Sequence, residues 1–319
     1  MVDGNIAAKE HLMKSAKKTG RIFFKIFRTY LIIALSFVVL YPVFYMISMS
    51  FRPVDEYTNP SIIWIPATWT LEVMKNAWET IKLPSTIWNS ALITLVNTVV
   101  SIVPCCLAGY GLARFEFKFK KLLMIMLVIS ILVPTQTIIV PLYAKMRYFD
   151  FFFIGQIGRL LIGDALSAKL LDTDWAMLIM SLFGSGIRGG MFIFIFRQFF
   201  SGLPRDLEDA AYVDGGGSLQ TFLRVIIPCA SAPFLVVLIL SLIWHWNDNF
   251  VAPLLNSSRQ TLAFTIDNLA NISIGANANV YERLQIRLAS CIYLIAPILI
   301  LYLFLQRYFV ESIDRTGLK

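Results

Sequence analysis

The chain has 319 residues, of which 57% are hydrophobic and 15% are charged, and it carries a formal net charge of +8. A water-soluble domain of this length cannot bury so much apolar surface, so the composition excludes a soluble globular protein and predicts a membrane protein. The excess of lysine and arginine needs no nucleic acid partner, because a basic cytoplasmic side suits the anionic inner leaflet of a lipid bilayer.

Six apolar windows are long enough to cross a hydrocarbon core about 30 Å thick. They cover residues 30–51, 87–113, 122–144, 175–196, 225–246 and 288–306. We therefore predict an all-α integral membrane protein with six transmembrane helices. Its predicted parts are a basic N-terminal segment (1–29), a transmembrane domain (30–310) and a tail (311–319). The first window has no small-residue cleavage site, so we interpret it as a retained anchor.

The lysines and arginines predict how the chain is oriented, because positively charged loops stay on the cytoplasmic side of a membrane. With the N-terminus inside, the predicted inside segments hold 17 of these residues, and the longer outside segments hold 10. We therefore predict that both termini are cytoplasmic. The loop between spans four and five is then cytoplasmic too.

Proline or glycine interrupts every predicted span. Prolines lie in or beside five windows, and the fourth window contains Gly184, Gly186, Gly189 and Gly190. Three of these glycines fit a dinucleotide-binding pattern, but that pattern needs a strand before it and a soluble crossover unit around it. We instead interpret Gly186 and Gly190 as a small face for close helix contact. Bent spans suit either kinked packing or the lining of a transport path.

One polar segment, "LPRDLEDAAYVDGGGSLQTFLRVIIP" (203–228), interrupts the apolar chain between spans four and five. Pro204 is placed to begin a helix, and acidic residues follow in its first turns, where the helix dipole favours negative charge. The run of glycines that starts at Gly215 ends it. We therefore predict a short helix from about Pro204 to Asp214.

One face of this predicted helix, formed by Leu207, Ala210 and Ala211, is narrow and has small side chains. Such a face suits a groove on another protein better than it suits lipid, and the acidic flank favours a basic rim on that partner. From the residues alone, an ordinary solvated loop helix stays open as the alternative.

The same segment resembles the "EAA" loop of importer permeases of the ATP-binding-cassette (ABC) superfamily, whose pattern is E-A-A, three residues, G, nine residues, I-x-L-P. Asp209, Ala210, Ala211, Gly215 and residues 225–228 stand at these spacings, with Asp for Glu, Val for Ile and Ile for Leu. Three further segments resemble the carbohydrate branch, and in particular its MalG-like subunits: 89–117, 246–254 and 305–319. The resemblance covers almost the whole chain.

The resemblance implies a division of labour among several chains. This chain would pair with a second homologous permease around one pathway, and an extracytoplasmic binding protein would deliver a sugar or oligosaccharide. Two cytoplasmic ATPase subunits would dock on the two EAA helices. ATP and magnesium would bind to those subunits and no cofactor to this chain, which is expected to be a transport subunit without an ATPase site because it has no P-loop. The implied location is the plasma (inner) membrane of a prokaryotic cell.

The resemblance also implies a coupling site within the loop. Its residues are Glu208, Asp209, Ala210, Ala211, Asp214, Gly215 and Pro228. Glu208 and Asp209 are expected to make polar contact with the ATPase, Ala210 and Ala211 to dock closely, and Gly215 to give the chain a sharp exit.

Five residues are candidates for the solute path: Arg188, Trp244, Trp246, Asn247 and Asp248. Arg188 is the only formal charge within the six windows and costs about 2.5 to 3.5 kcal/mol at mid-membrane, so it is expected to face protein or a wet cavity. It either binds solute or ties helices together. The cluster from Trp244 to Asp248 suits a sugar, but tryptophan is also an interfacial anchor.

Two other classes of protein compete with an importer subunit. An ion-coupled carrier usually places a titratable side chain deep in a span, and no Asp or Glu lies in any of the six windows. An intramembrane enzyme needs a buried carboxylate pair, a metal-ligand cluster or a nucleophile dyad, so we predict no metal site and no catalytic residue. An importer of the same architecture for a polyamine, phosphate or a peptide is the remaining alternative.

Overall fold

A computed structural model describes residues 2–59, 64–150, 169–271 and 280–317. The helices are, in chain order, α1 (Val2–Ser50), α2 (Glu72–Thr80), α3 (Leu83–Arg114), α4 (Lys120–Leu132), α5 (Thr135–Arg147), α6 (Trp175–Leu182), α7 (Gly189–Gly202), α8 (Asp206–Val213), α9 (Ser218–Cys229), α10 (Ser231–Trp246), α11 (Val251–Leu255), α12 (Leu262–Asp267) and α13 (Val280–Gly317). No β-strand is assigned among the described residues, which confirms the all-α prediction for that part of the chain.

Three helices are long and apolar enough to cross a membrane without a break. They are Gly20–Ser50 within α1, Leu83–Arg114 (α3) and Val280–Arg307 within α13, and they coincide with the first, second and sixth predicted spans. The basic segment before the first span is helical from Val2 and continuous with that span. The cytoplasmic position of the two termini stays a prediction.

Two of the predicted spans are bent pairs of helices, so the count of candidate spans rises to five if each pair crosses as one. The third is made of α4 and α5, which meet at 106° beside Pro134. The fifth is made of α9 and α10, which meet at 72° at Ala230, two residues after Pro228. Proline removes a backbone donor and clashes with the preceding turn, which favours these bends. The prolines inside α1, α3 and α13 leave those helices continuous.

The fourth predicted span, residues 175–196, is divided into two helices. α6 ends at Leu182, α7 begins at Gly189, and a turn separates them. Gly184 and Arg188 adopt left-handed φ angles of +65° and +59° in this turn. A Cβ on Gly189 would lie 2.0 Å from the carbonyl oxygen of Gly184, so only glycine fits at the start of α7. Averaged hydropathy missed the break because the apolar helices on either side outweigh the short turn, which contains Ser185 and Arg188.

Gly186 and Gly190 do not form the shared helix face that their spacing predicts. Gly186 lies in the turn before α7, whereas Gly190 lies within α7. A Cβ on Gly190 would lie 2.4 Å from the Oγ of Ser130 in α4. Gly190 alone therefore allows α4 and α7 to approach closely.

The chain divides into two compact units, and the first comprises residues 1–76 and 279–292. Within it, Gln285 of α13 is fully buried and donates its amide N–H groups to the carbonyl oxygens of Met49 and Arg52, at 3.3 and 3.1 Å. The last carbonyls of a helix have no partner within the helix. Gln285 therefore completes the C-terminal end of α1.

The second unit comprises residues 77–278 and 293–319 and is organised around α3. This helix packs against α6, α7, α10 and α12. Phe192 and Phe196 of α7 are fully buried in the core of this unit. A Cβ on Gly109 of α3 would lie 2.6 Å from the Cβ of Phe196, so this glycine brings α3 and α7 into direct contact. α3 ends at the place where the polar segment 203–228 begins its helix.

Candidate functional site

The polar segment between α7 and α9 contains a short helix, α8, which begins at Asp206 and ends at Val213. Both bounds lie within two residues of the predicted ones. Gly215 follows with a φ of +82° and no atom within 4 Å of the place of a Cβ, so glycine is needed there for its backbone conformation. The N–H of Gly216 donates to the carbonyl of Ala211 at 2.9 Å and closes the helix.

The inner face of α8 carries Glu208, and its carboxylate points toward α3. Arg114 Nε lies 3.1 Å from Glu208 Oε1, and the Tyr110 hydroxyl donates to the same oxygen at 3.1 Å. The Nη2 of Arg114 donates to the carbonyl of Leu203 at 3.0 Å. Our sequence interpretation placed Glu208 beside Asp209 at the ATPase; the structure instead turns it inward, because consecutive helical residues point about 100° apart.

The opposite side of α8, which we call its outer face, is open. Asp209, Ala210 and Asp214 are exposed, and Ala211 is half-buried. Val213 is also on this face, and 87% of its surface is exposed. The outer face thus combines carboxylates with small and apolar side chains.

A second ion pair lies on the loop between α3 and α4 and, unlike the pair of Arg114 and Glu208, it is exposed. Lys120 Nζ donates to Glu116 Oε1 at 2.8 Å. This hydrogen bond holds the pKa of Glu116 below its ordinary value, and the positive charges of Lys120 and Arg205 add to the effect. Because Glu116 is exposed, water screens the pair, and such pairs contribute little to stability.

An aromatic cluster joins the ends of α3, α7 and α9 beside Glu208. The ring of Tyr110 lies 5.5 Å from the ring of Phe200 and 4.6 Å from that of Phe222, between ring centroids. Phe222 begins a π-helical turn that ends at Ile226, and Pro228 follows with its ring exposed. Pro228 therefore lies at the exposed exit of the loop.

Arg188 lies in the turn between α6 and α7, with its guanidinium 4.2 Å above the ring of Trp244. Both side chains are exposed, Trp244 to 38%. The turn borders a cavity of about 360 Å³ that also faces the bend between α4 and α5. The polar residues that line it are Ser130, Thr135, Ser185 and Arg188. The structure thus places Arg188 at a cavity where two interrupted spans meet.

Trp246 and Asn247 do not join Arg188 and Trp244 in one site. The Trp246 side chain is only 6% exposed, and its Nε1–H donates to the carbonyl of Leu294 at 2.9 Å. Asn247 is exposed and donates to the carbonyl of Ile243, four residues earlier. Trp246 therefore anchors α10 to α13, because its one polar group is already satisfied within the protein.

Asp248 has a structural role that its neighbourhood in the sequence concealed. Its carboxylate accepts hydrogen bonds from the backbone N–H groups of Phe250, Val251 and Ala252, at 3.2, 3.0 and 2.6 Å. These are N–H groups at the start of α11 that have no partner within the helix. Asp248 therefore caps α11, and its carboxylate is not directed at the cavity residues Arg188 and Trp244.

Sequence reasoning missed a row of buried polar side chains along α3. The row consists of Ser90, Thr94, Asn97, Thr98 and Ser101. Across it, Ser181 of α6 donates to Asn97 Oδ1 at 2.8 Å, and Ser241 of α10 donates to Thr98 Oγ1 at 3.1 Å. The spacing of three or four residues along one helix face is the signal that would have found them. Such bonds hold apolar helices in one register.

Within the described ranges, no group of three or more His, Cys, Asp or Glu side chains is arranged to hold a metal ion.

Comparison with known families gives one match over most of the chain. Residues 106–315 match the family described as "Binding-protein-dependent transport system inner membrane component". This match includes the last turns of α3, the whole of α8 and most of α13.

Individual relatives align along nearly their whole length. AraQ of Halalkalibacterium halodurans, an arabinooligosaccharides transport system permease protein, is 28% identical over 89% of this chain and 93% of its own. SugB of Mycobacterium tuberculosis, a trehalose transport system permease protein, is 27% identical over 88% and 92%. MelC of Bacillus subtilis, a melibiose/raffinose/stachyose import permease protein, is 25% identical over 87% and 91%.

One solved structure has the same fold. It is a chain of a bacterial ABC transporter involved in the import of the acidic polysaccharide alginate, and it aligns with a TM-score of 0.70 and 20% sequence identity. The alignment covers 90% of this chain and 96% of that one. With a family match over more than half of its residues, the chain belongs to the binding-protein-dependent transport system inner membrane components, the permeases of ABC importers.

Proposed function

We propose that this chain is a permease subunit of an ABC importer for a sugar or oligosaccharide. It forms the transmembrane pathway together with a second homologous permease. An extracytoplasmic binding protein delivers the solute, and two separate ATPase subunits drive its entry. The protein lies in the plasma membrane of a prokaryotic cell, with both termini in the cytoplasm.

The choice of a sugar is supported by the relatives. AraQ, SugB and MelC are permeases for arabinooligosaccharides, trehalose and the melibiose series, and each aligns over at least 87% of this chain. Their shared solute class favours a carbohydrate over a polyamine, phosphate or a peptide. The identity level leaves the individual sugar to experiment.

The observation that carries the proposal is the outer face of α8. A short helix stands between two apolar helices, presents Asp209 and Ala210 to solvent, and is tied on its other side to α3 through Glu208. A carboxylate beside small side chains suits a groove with a basic rim on another protein. ATP and magnesium bind to that partner, since this chain has no P-loop.

For the solute path we propose Arg188 and Trp244. The aromatic face of Trp244 suits the apolar face of a sugar ring, and the guanidinium of Arg188 offers several N–H donors to hydroxyl groups. Both side chains are exposed, and Arg188 lines the cavity between two interrupted spans, where transporters commonly form their solute sites. The alternative role of Arg188, a tie between helices, is tested by substitution below.

The docking surface is tested by Asp209→Ala. Loss of an ionic contact that becomes partly desolvated costs about 2 kcal/mol or more, which weakens ATPase attachment about thirtyfold. Wild-type and variant complexes are reconstituted in matched amounts, and ATPase binding, solute-stimulated hydrolysis and sugar uptake are measured. Glu116→Gln removes one exposed negative charge from the neighbouring loop and serves as the control.

We expect Asp209→Ala to insert and to assemble with its partner permease, yet to lose stimulated hydrolysis and uptake together, while Glu116→Gln keeps both. Uptake and ATPase affinity at wild-type levels in Asp209→Ala would remove α8 from the docking surface. Uptake that persists without any ATPase subunit, driven by an ion gradient, would favour the carrier alternative instead.

A further inference from the structure

Arg114 is the last residue of α3, and its guanidinium bridges two other segments of the chain. Its Nε lies 3.1 Å from Glu208 Oε1 in α8, and another nitrogen donates to the carbonyl of Leu203, just after α7, at 3.0 Å. The side chain is 6% exposed and that of Glu208 12%. One cation therefore holds α3, α7 and α8 at a single point.

Tyr110 reinforces this point from one turn earlier on α3. Residues four apart lie on the same helix face, so the hydroxyl of Tyr110 reaches the carboxylate that pairs with Arg114. The tyrosine ring is buried between Phe200 and Phe222, which fixes the direction of its hydroxyl. Glu208 thus faces two partners from α3. We call Tyr110, Arg114 and Glu208 the α3 brace.

The covalent connection between α8 and α9 is flexible and transmits movement poorly compared with the α3 brace. It passes through three glycines, and no atom lies within 4 Å of a Cβ placed on Gly215 or on Gly217. Glycine has more backbone freedom than any other residue, so a push on α8 would be absorbed there. α8 also packs against the first turns of α9. A buried ion pair to α3 would add a stiffer route to the spans.

We propose that the α3 brace is this route. In this view, which rests on the proposed function, Arg114 and Tyr110 are positioning residues that make α8 move as one body with α3. Since α3 packs against α6, α7, α10 and α12, its displacement reaches the elements around the cavity. Movement of the ATPase displaces α8 through its contact with Asp209 on the outer face. The contact of Glu208 on the inner face then displaces α3.

The chemistry of the brace explains why arginine stands at position 114. A guanidinium carries five N–H donors in a rigid planar fork, so it can meet Glu208 and the Leu203 carbonyl together. An ammonium is a point charge on a flexible stem and holds one such partner less firmly. If the guanidinium is removed, the carboxylate remains poorly solvated and α8 loses its fixed position on α3.

The test separates docking from transmission. Arg114→Gln is assembled into the full importer, and three quantities are measured: ATPase affinity, solute-stimulated ATP hydrolysis, and molecules of solute imported per ATP. We expect ATPase affinity to stay within about twofold, because the outer face is intact. Import per ATP should fall about tenfold, which corresponds to about 1.4 kcal/mol of lost coupling. Import per ATP in Arg114→Lys should lie between the values of the wild type and of Arg114→Gln.

A charge exchange provides the second arm. Arg114→Glu and Glu208→Arg are each expected to uncouple transport, and the double variant to recover at least part of the import per ATP, as interacting pairs do in a mutant cycle. If Arg114→Gln fails to insert, Glu208→Gln keeps the shape of the side chain without its charge and is expected to show the same uncoupling. Lys120→Gln, which breaks the exposed pair with Glu116, is the control and should couple normally.

Three results would overturn the inference. They are full import per ATP in Arg114→Gln or Glu208→Gln, a loss of ATPase affinity in the same proportion as import, and a double variant no better than either single one. The proposed function fails in a different way, namely if the wild-type chain binds no ATPase subunit. The two failures are therefore distinguishable in one set of measurements.

Discussion

The α3 brace and the turn between α6 and α7 each contain an arginine, but the two arginines have opposite surroundings. Arg114 is buried against a carboxylate and a backbone carbonyl. Arg188 is exposed and rests on the ring of Trp244, with no ion pair to it among the residues that the structure describes. A buried, neutralised charge fixes one geometry, whereas an exposed guanidinium on an aromatic face keeps donors available for a partner that comes and goes.

The two regions also each depend on a glycine, and the two glycines are required for different reasons. Gly189 at the turn is required by space, since a Cβ would overlap a backbone oxygen, and Gly215 beside α8 is required by its φ angle in open surroundings. A steric requirement tolerates no larger residue without movement of the backbone. A conformational requirement allows one at the cost of strain. The three predictions below test this contrast, from the largest expected effect to the smallest.

Gly189→Ala is expected to have the largest effect. The added Cβ would lie 2.0 Å from the Gly184 carbonyl oxygen, so the turn must open, and we expect a loss of about 3 kcal/mol in unfolding free energy. Denaturant unfolding of the solubilised protein measures it. Gly202→Ala is the control. Gly202 lies on the same helix, and a Cβ placed there has no atom within 4 Å, so this variant should change the unfolding free energy by less than about 0.5 kcal/mol. Equal stabilities of the two variants would contradict the steric requirement.

Gly215→Val should have an intermediate effect on stability and a large one on transport. A left-handed conformation costs a residue with a Cβ about 1–2 kcal/mol, so α8 would end differently and its outer face would shift. Gly217→Val is matched to it, because Gly217 has a φ of −74° that any residue adopts and equally open surroundings. Stimulated hydrolysis and uptake are compared in the two variants. If both behave like the wild type, the left-handed exit has no part in coupling.

Arg188→Gln should have the smallest effect on stability. An exposed cation–π contact contributes about 0.5–1 kcal/mol, and its loss should lower the unfolding free energy by no more than that. Uptake is expected to need about tenfold more sugar for half-maximal rate, since a hydrogen bond to a charged group is worth about 1.5–3 kcal/mol. Arg224→Gln, at an exposed position of α9, is the control. Reduced stability with unchanged uptake would make Arg188 a tie between helices.

Much of the fold was predictable from hydropathy and local helix signals. The spans within α1, α3 and α13 coincide with apolar windows, and α8 was predicted from a proline, acidic first turns and a terminal glycine run. Such signals work because a helix satisfies its own backbone and its ends follow local rules. Hydropathy missed the break before Gly189, since averaging over a window lets the apolar helices on either side outweigh a short turn that contains Ser185 and Arg188.

The bounds of the short helix α8 were predictable from the sequence, but the direction of its side chains was not. Glu208 and Asp209 were both assigned to the ATPase, but the partner of Glu208 is Arg114, which lies 94 residues earlier in the chain, and no local pattern reveals that pairing. Asp248 is a different case. An Asp shortly before a run such as "VAPLL" is a helix-start signal, and its role as a cap could have been read from the sequence.

The brace sets a practical limit on exchanging parts between permeases. A chimera that receives only the loop of another importer, with residues 206–214 replaced, would retain Arg114 while it loses the carboxylate that this arginine faces. It could recruit the foreign ATPase through a correct outer face and still fail to import. Exchanges that move the end of α3 together with α8 keep both halves of the pair, so the transplantable module is discontinuous in sequence and includes Tyr110 and Arg114.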